Sequence, residues 1–132
     1  MTTKESLSRG LIIAGLFLGS SIALRLLSPD HLTPELARRL LGVLSGAVLV
    51  VYANAVPKTL SPLARLRCDP AAEQAMRRFA GWTLTLGGGA YITAWLLAPL
   101  DRANLIAAGL LATALSLVLV RLTWSVARRS RA

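Results

Sequence analysis

The side chains best suited to binding or chemistry lie near one boundary between apolar and charged sequence. Asn54 is the most polar residue inside an apolar segment, and Lys58 follows four residues later on the same helical face. Arg77 and Arg78 precede the next apolar segment, and Tyr91 lies deeper within that segment. Together with Pro57 and Trp82, these residues form a candidate polar cluster or partner-binding site, and structural hydrogen bonding is the alternative role for the Asn54 amide. The Tyr91 hydroxyl needs a partner, which is Asn54, a threonine or a ligand.

Residue types that catalysis requires are scarce. The single Cys68 cannot form an internal disulfide, and the single His31 cannot supply a multi-histidine metal site or a pair of haem ligands. Each apolar segment lacks Asp and Glu, so proton-coupled exchange through an intramembrane carboxylate has no titrating group. Gly87–Gly89 follows no predicted strand and precedes no lysine, which excludes a P-loop. We therefore expect a protein that is not an enzyme and that binds no metal or cofactor.

The composition is typical of an integral membrane protein. Of 132 residues, 55% are hydrophobic and only 16% are charged, and the mean hydropathy is +0.59. Soluble domains carry about 25% charged residues. This balance argues against a disordered chain, a disulfide scaffold and a nucleic-acid-binding module.

Four uncharged runs predict four membrane-spanning helices. The runs are residues 10–24, 40–57, 79–100 and 103–120. The predicted spans lie at about residues 10–27, 38–56, 79–98 and 103–123, and residues 57–78 form a basic inner loop. A bilayer core of about 30 Å requires roughly 20 helical residues, and the last three runs meet that length. The first run is long enough only if Arg25 extends its charge to the interface. Short connections favour an antiparallel, up-down bundle that forms one membrane domain over residues 1–132.

Basic residues predict the orientation of these spans. Eleven of the 15 lie on the side of the N-terminus, the inner loop and the C-terminus, and four lie on the other side. Because basic residues resist translocation, we expect both termini in the cytoplasm of a bacterium, beneath its inner membrane. Anionic lipid headgroups are the expected partners of this basic face, and nucleic acid is not. A cleaved signal peptide is the alternative for the first segment, with Ser21–Ala23 as its cleavage site.

Prolines mark two predicted helix starts. Thr33 is placed to cap a helix that begins at Pro34, with Glu35 in the first turn. Asp69 and Pro70 are placed to start a third helix in the cytoplasm, ahead of its span.

Small and aromatic residues predict helix contacts and interfaces. Glycines that recur at four-residue spacing or in a run permit close helix packing within the chain or in a homodimer: Gly15, Gly19, Gly42, Gly46, Gly87, Gly88 and Gly89. The glycine run is also a candidate kink. Tryptophans and a tyrosine near the span ends are typical of an aromatic belt at the membrane interface: Tyr52, Trp82, Trp95 and Trp124.

Two short motifs suggest a family. Tyr52–Lys58 (YANAVPK) resembles the GN-x-x-PK signature of SdpI-like membrane proteins, and Arg78–Trp82 (RFAGW) resembles their basic–aromatic–glycine element. The resemblance covers roughly residues 40–97. Ala53 stands where that family has glycine, and the chain is shorter than its six-span members. Founding members confer immunity to a secreted peptide toxin and hold a transcriptional repressor at the membrane.

The resemblance implies a role for particular residues. Asn54, Pro57 and Lys58 would belong to the shared core, and the basic inner loop would receive a cytoplasmic partner. We therefore expect an SdpI-like protein that serves in immunity against membrane-active peptides or in membrane signalling. The alternatives are a small accessory subunit of a larger transporter or respiratory complex, and an oligomeric small transporter.

Overall fold

The computed structural model describes residues 3–27, 32–55 and 70–129. Within these ranges the chain forms four α-helices, which confirms the all-α prediction: α1 is Thr3–Leu27, α2 is Pro34–Ala55, α3 is Pro70–Leu97 and α4 is Leu100–Arg129. Pro57, Lys58, Cys68 and His31, which the sequence analysis singled out, lie outside the described residues.

The helix starts follow from the capping residues. The Leu36 amide donates to the Thr33 hydroxyl oxygen at 3.3 Å, which confirms the predicted N-cap of α2. α3 begins at Pro70, nine residues before the predicted span. α4 begins at Leu100, earlier than the predicted residue 103, because the Arg102 and Ala103 amides already donate to the Pro99 carbonyl at 3.0 and 2.8 Å.

The helices pack in chain order, and α3 runs antiparallel to both α2 and α4. Gly42 of α2 lies beside Trp95 of α3, and Val50 lies beside Gly88, so the two helices run in opposite directions. Gly87 of α3 lies beside Ala114 of α4, and Phe79, earlier in α3, lies beside Arg121, later in α4. These two helices therefore also run in opposite directions. α3 has extensive contacts with both neighbours, whereas α1 contacts only α2 among the described helices.

The buried interior consists of small residues. Apart from Arg77, every buried residue in the described part of the chain is alanine or glycine. The large apolar side chains point outwards instead; Leu105, for example, is 76% exposed. Small residues let helix backbones approach closely, and lipid solvates the outward leucines, so this distribution is typical of helices that pack inside a bilayer.

Three helices are long and apolar enough to cross a membrane. The candidate spans are Gly10–Leu27 in α1, Pro34–Ala55 in α2 and Leu100–Ala127 in α4. α3 was predicted to contain a fourth span and is not among the three. Its glycines, threonines and aromatic residues lower its hydropathy, and α3 is also the helix with packed neighbours on two sides.

Candidate functional site

Some of the candidate residues lie at one end of the bundle, which we call the basic end. It comprises the last turn of α2, the first three turns of α3 and the last turns of α4. Because α3 runs antiparallel to α2 and α4, Arg77, Arg78 and Arg121 all belong to this end. The α2–α3 contacts place Asn54 opposite about residue 84 of α3, deeper in the bundle than Arg77 and Arg78. The fold therefore brings cations from α3 and α4 to one level.

Arg77 and Arg78 have opposite environments although they are adjacent in sequence. Arg77 is only 4% exposed, and its guanidinium donates to the Glu73 carboxylate through Nε at 3.1 Å and Nη2 at 2.5 Å. Arg78 is exposed. A buried arginine needs a charged partner to offset desolvation, so Arg77 serves structure while Arg78 is available to other molecules.

Phe79 and Arg121 join α3 to α4 at the basic end. The Arg121 guanidinium carbon lies 4.2 Å from the centroid of the Phe79 ring, which is cation–π geometry. These two residues line an open groove of about 510 Å³ together with Leu117, Val120, Trp124 and Ser125. We call it the Arg121 pocket. Sequence reasoning did not find it, because 42 residues separate Phe79 from Arg121 and no local pattern links them.

Asn54 and Tyr91 do not meet. Asn54 is exposed near the end of α2, and its side-chain amide forms no hydrogen bond with the described residues. The Tyr91 ring lies beside Gly46, about two turns before Asn54 in α2. Its hydroxyl likewise has no hydrogen-bond partner in the described part. Within those ranges, the polar path that a transporter would need from Asn54 and Tyr91 is not assembled.

The aromatic residues fall into two groups. Trp82, Trp124 and Tyr52 are exposed, at 70%, 60% and 49% respectively. Trp124 and Tyr52 lie near helix ends, whereas Trp82 lies in the middle of α3, which continues to Pro70 before the predicted span. Trp95 also lies near a helix end, but its ring covers Gly42, and its indole N–H is buried without a hydrogen-bond partner among the described residues. Trp95 therefore acts in helix packing, because α2 has no side chain at residue 42 to exclude it.

The glycines divide in a similar way. A Cβ at Gly42, Gly46, Gly87 or Gly88 would collide with a neighbouring helix, whereas a Cβ at Gly15, Gly19 or Gly89 would meet nothing within 4 Å. α3 remains one continuous helix through Gly87–Gly89, so this run serves helix contacts and forms no break.

A second feature that sequence reasoning missed lies at the opposite end. The Arg39 Nη1 atom donates to the carbonyl oxygens of Trp95, Leu96 and Ala98 at 3.0, 2.9 and 3.1 Å. Carbonyls at a helix C-terminus lack partners within their own helix, so the α2 guanidinium caps α3. Glu35, one turn before Arg39, pairs with it at 3.4 Å. Only the Glu35–Arg39 spacing was visible in sequence.

In the described ranges, no group of three or more His, Cys, Asp and Glu side chains could hold a metal ion. Comparison of the chain with protein-family models, curated proteins and solved structures gives no match. The resemblance to SdpI-like proteins therefore rests on the two short motifs alone.

Proposed function

We propose that the chain is a multi-pass protein of the bacterial cytoplasmic membrane in which all four helices cross the bilayer. α3 has 28 residues, which corresponds to about 42 Å and exceeds the bilayer core. It packs between two helices that are apolar enough to span, so its less apolar surface faces protein. The excess of basic residues at one end supports cytoplasmic termini.

Within that membrane setting, the proposed role is immunity against membrane-active peptides or membrane signalling, as in SdpI-like proteins, without catalysis. The observation that carries this proposal is the placement of the two motifs. YANAVPK overlaps the last turn of α2, and RFAGW lies in the adjacent antiparallel helix α3. Their small residues Ala53, Ala80 and Gly81 are buried, while Asn54 and Arg78 are exposed. The motifs thus combine close packing with an exposed polar surface, as a shared binding core requires.

A gene deletion tests this role. Cells that lack the gene should lose survival when challenged with a panel of membrane-active peptides, and the wild-type gene should restore it. An Asn54→Leu, Arg78→Gln double variant should fail to restore survival, because it removes the exposed amide and cation at the basic end. Arg102→Gln, at the other end, is the matched control and should restore survival at equal protein level.

The signalling role requires a cytoplasmic partner. That partner should copurify with the wild-type protein and with Arg102→Gln, and should be lost from the double variant. Unchanged survival of the deletion strain, together with no copurifying cytoplasmic protein, would contradict the proposal.

A second candidate is an accessory subunit of a larger membrane complex. The observation that favours it is α1, of which no residue in Gly10–Leu27 is buried. Its contact with α2 leaves a groove of about 430 Å³ between residues 20–27 and 40–47. Purification in a gentle detergent distinguishes the candidates: a stoichiometric membrane partner supports the subunit, and an isolated monomer or homodimer contradicts it.

A further inference from the structure

The Arg121 pocket joins a cationic rim to an apolar wall. Leu117, Val120 and Phe79 supply apolar surface, while Arg121 and Ser125 supply polar groups. The Ser125 hydroxyl donates to the Leu122 carbonyl at 2.7 Å, which leaves its oxygen free to accept a hydrogen bond. The site has a volume of about 510 Å³ and is an open groove, not an enclosed cavity, since Leu117, Val120, Arg121 and Trp124 are all exposed.

The depth of the pocket follows from the geometry of α4. Arg102 and Arg121 are separated by 19 residues of continuous helix, a rise of about 28 Å. This rise nearly equals the thickness of the hydrocarbon core, so the two arginines mark its two interfaces. With Arg121 at the interface, Leu117 lies about one turn towards the bilayer core and Trp124 about one turn towards the headgroups. The pocket therefore extends from the headgroups into the acyl chains.

Charge determines which lipid fits. Among the described residues, the pocket lining contains no acidic side chain, and Arg121 forms no ion pair with a carboxylate. At the same end, Glu73 is already paired with Arg77, and the neighbouring Arg78 adds an exposed cation. A guanidinium binds phosphate oxygens through two parallel N–H groups. The local charge is therefore positive and lacks a counter-ion within the described residues.

We propose that the Arg121 pocket binds one anionic phospholipid. Its phosphate accepts hydrogen bonds from the Arg121 guanidinium, and its upper acyl chain packs against Leu117, Val120 and Phe79. The Phe79 ring holds the guanidinium in place by the cation–π contact, so the cation is oriented before the lipid arrives. This inference depends on the location of α4 in a bilayer and is independent of immunity or signalling.

The test uses the full chain in nanodiscs of phosphatidylcholine and phosphatidylglycerol in a 4:1 ratio. After release into detergent, native mass spectrometry should show the wild-type protein with one retained phosphatidylglycerol. Arg121→Gln should retain about fivefold less, since one basic residue near the surface contributes about 1 kcal/mol to anionic lipid binding. Arg102→Gln is the matched control, because it removes an exposed arginine from the opposite end, and it should retain the lipid fully.

A second measurement needs no change at Arg121. Phosphatidylglycerol brominated near the headgroup should quench the fluorescence of Trp124 more than equally brominated phosphatidylcholine does. The Trp124 signal is obtained as the difference between the wild-type protein and Trp124→Phe. Glycerol phosphate added in water should leave this difference unchanged, because it lacks the acyl chain that the apolar wall contacts.

Three outcomes would overturn the proposal. The first is equal retention of the lipid by the wild-type protein and a folded Arg121→Gln variant. The second is an equal loss in Arg102→Gln, which would show a general effect of surface charge. The third is equal quenching by the two lipids, or displacement by glycerol phosphate. A failed lipid test leaves the peptide challenge unaffected, and a failed peptide challenge leaves the lipid test unaffected.

Discussion

α1 and α2 each carry two glycines at four-residue spacing, but the two pairs have different environments. Gly42 and Gly46 lie under Trp95, Tyr91 and Ile92 of α3, so α2 and α3 approach closely. Gly15 and Gly19 in α1 have no neighbour within 4 Å of where a Cβ would stand. The same glycine spacing thus forms a helix contact in α2 and faces no neighbouring helix in α1. A glycine pair allows another helix to approach closely, whereas the side chains of that other helix determine whether it does.

The largest expected effect comes from placing a side chain at Gly42. Gly42→Leu should lower the free energy of unfolding by about 3 kcal/mol, because the new side chain overlaps the Trp95 ring and forces α2 away from α3. Titration with a denaturing detergent in mixed micelles measures this change.

Gly15→Leu is the matched control for that variant. It places the same side chain at an open position of α1, so stability should be unchanged or slightly raised. A loss of stability or of assembly in Gly15→Leu would show that α1 has a packing partner in the membrane, and would remove the contrast between the two helices.

An intermediate effect is expected at Arg39, which binds α2 to the end of α3. Arg39→Gln should cost about 2 kcal/mol, since it removes charge-assisted hydrogen bonds to carbonyls that lack other partners. Arg38→Gln, at the adjacent exposed position, should cost less than about 0.5 kcal/mol. Hydrogen exchange at the last turn of α3 should increase only in the Arg39 variant. Equal changes in both variants would exclude a capping role.

The smallest expected effect separates two residues of the glycine run. Gly87→Ala should cost about 1 kcal/mol, because its Cβ would lie 2.6 Å from the Cβ of Ala114, which cannot rotate away. Gly89→Ala should stabilise the protein by up to about 1 kcal/mol, since alanine favours the helix and the site is open. Adding Ala114→Gly to Gly87→Ala should recover the loss. Equal effects at residues 87 and 89 would contradict the α3–α4 contact.

Much of the helix pattern was predictable, because it depends on local sequence. Pro34, Pro70 and the Thr33 cap mark helix starts through backbone geometry that adjacent residues determine. Three of the four predicted spans recur as helices apolar enough to cross a membrane. α3 is the predicted span that is not among them, and it is also the helix that packs against two neighbours, α2 and α4. Glycines that serve helix contacts lower the hydropathy of a helix, so hydropathy alone does not show whether such a helix crosses a membrane.

The candidate site was predictable only in part. The cluster of basic residues around Arg77 and Arg78 was visible, but the burial of one and the exposure of the other were not. That difference arises because consecutive helical residues point about 100° apart, and the direction of the neighbouring helices decides which of them is covered.

The sequence by itself determined the helical class, the helix starts and the concentration of positive charge at the segment ends, since each depends on residue type and local order. Tertiary structure decided which glycines are contacts, which arginine is buried, that Arg39 caps α3 and that Arg121 lies over Phe79. The glycine, Arg39 and Arg121 contacts join residues 27 to 59 positions apart. They depend on the rotation and depth at which antiparallel helices meet, and that geometry is set by the packing of small side chains across the whole bundle.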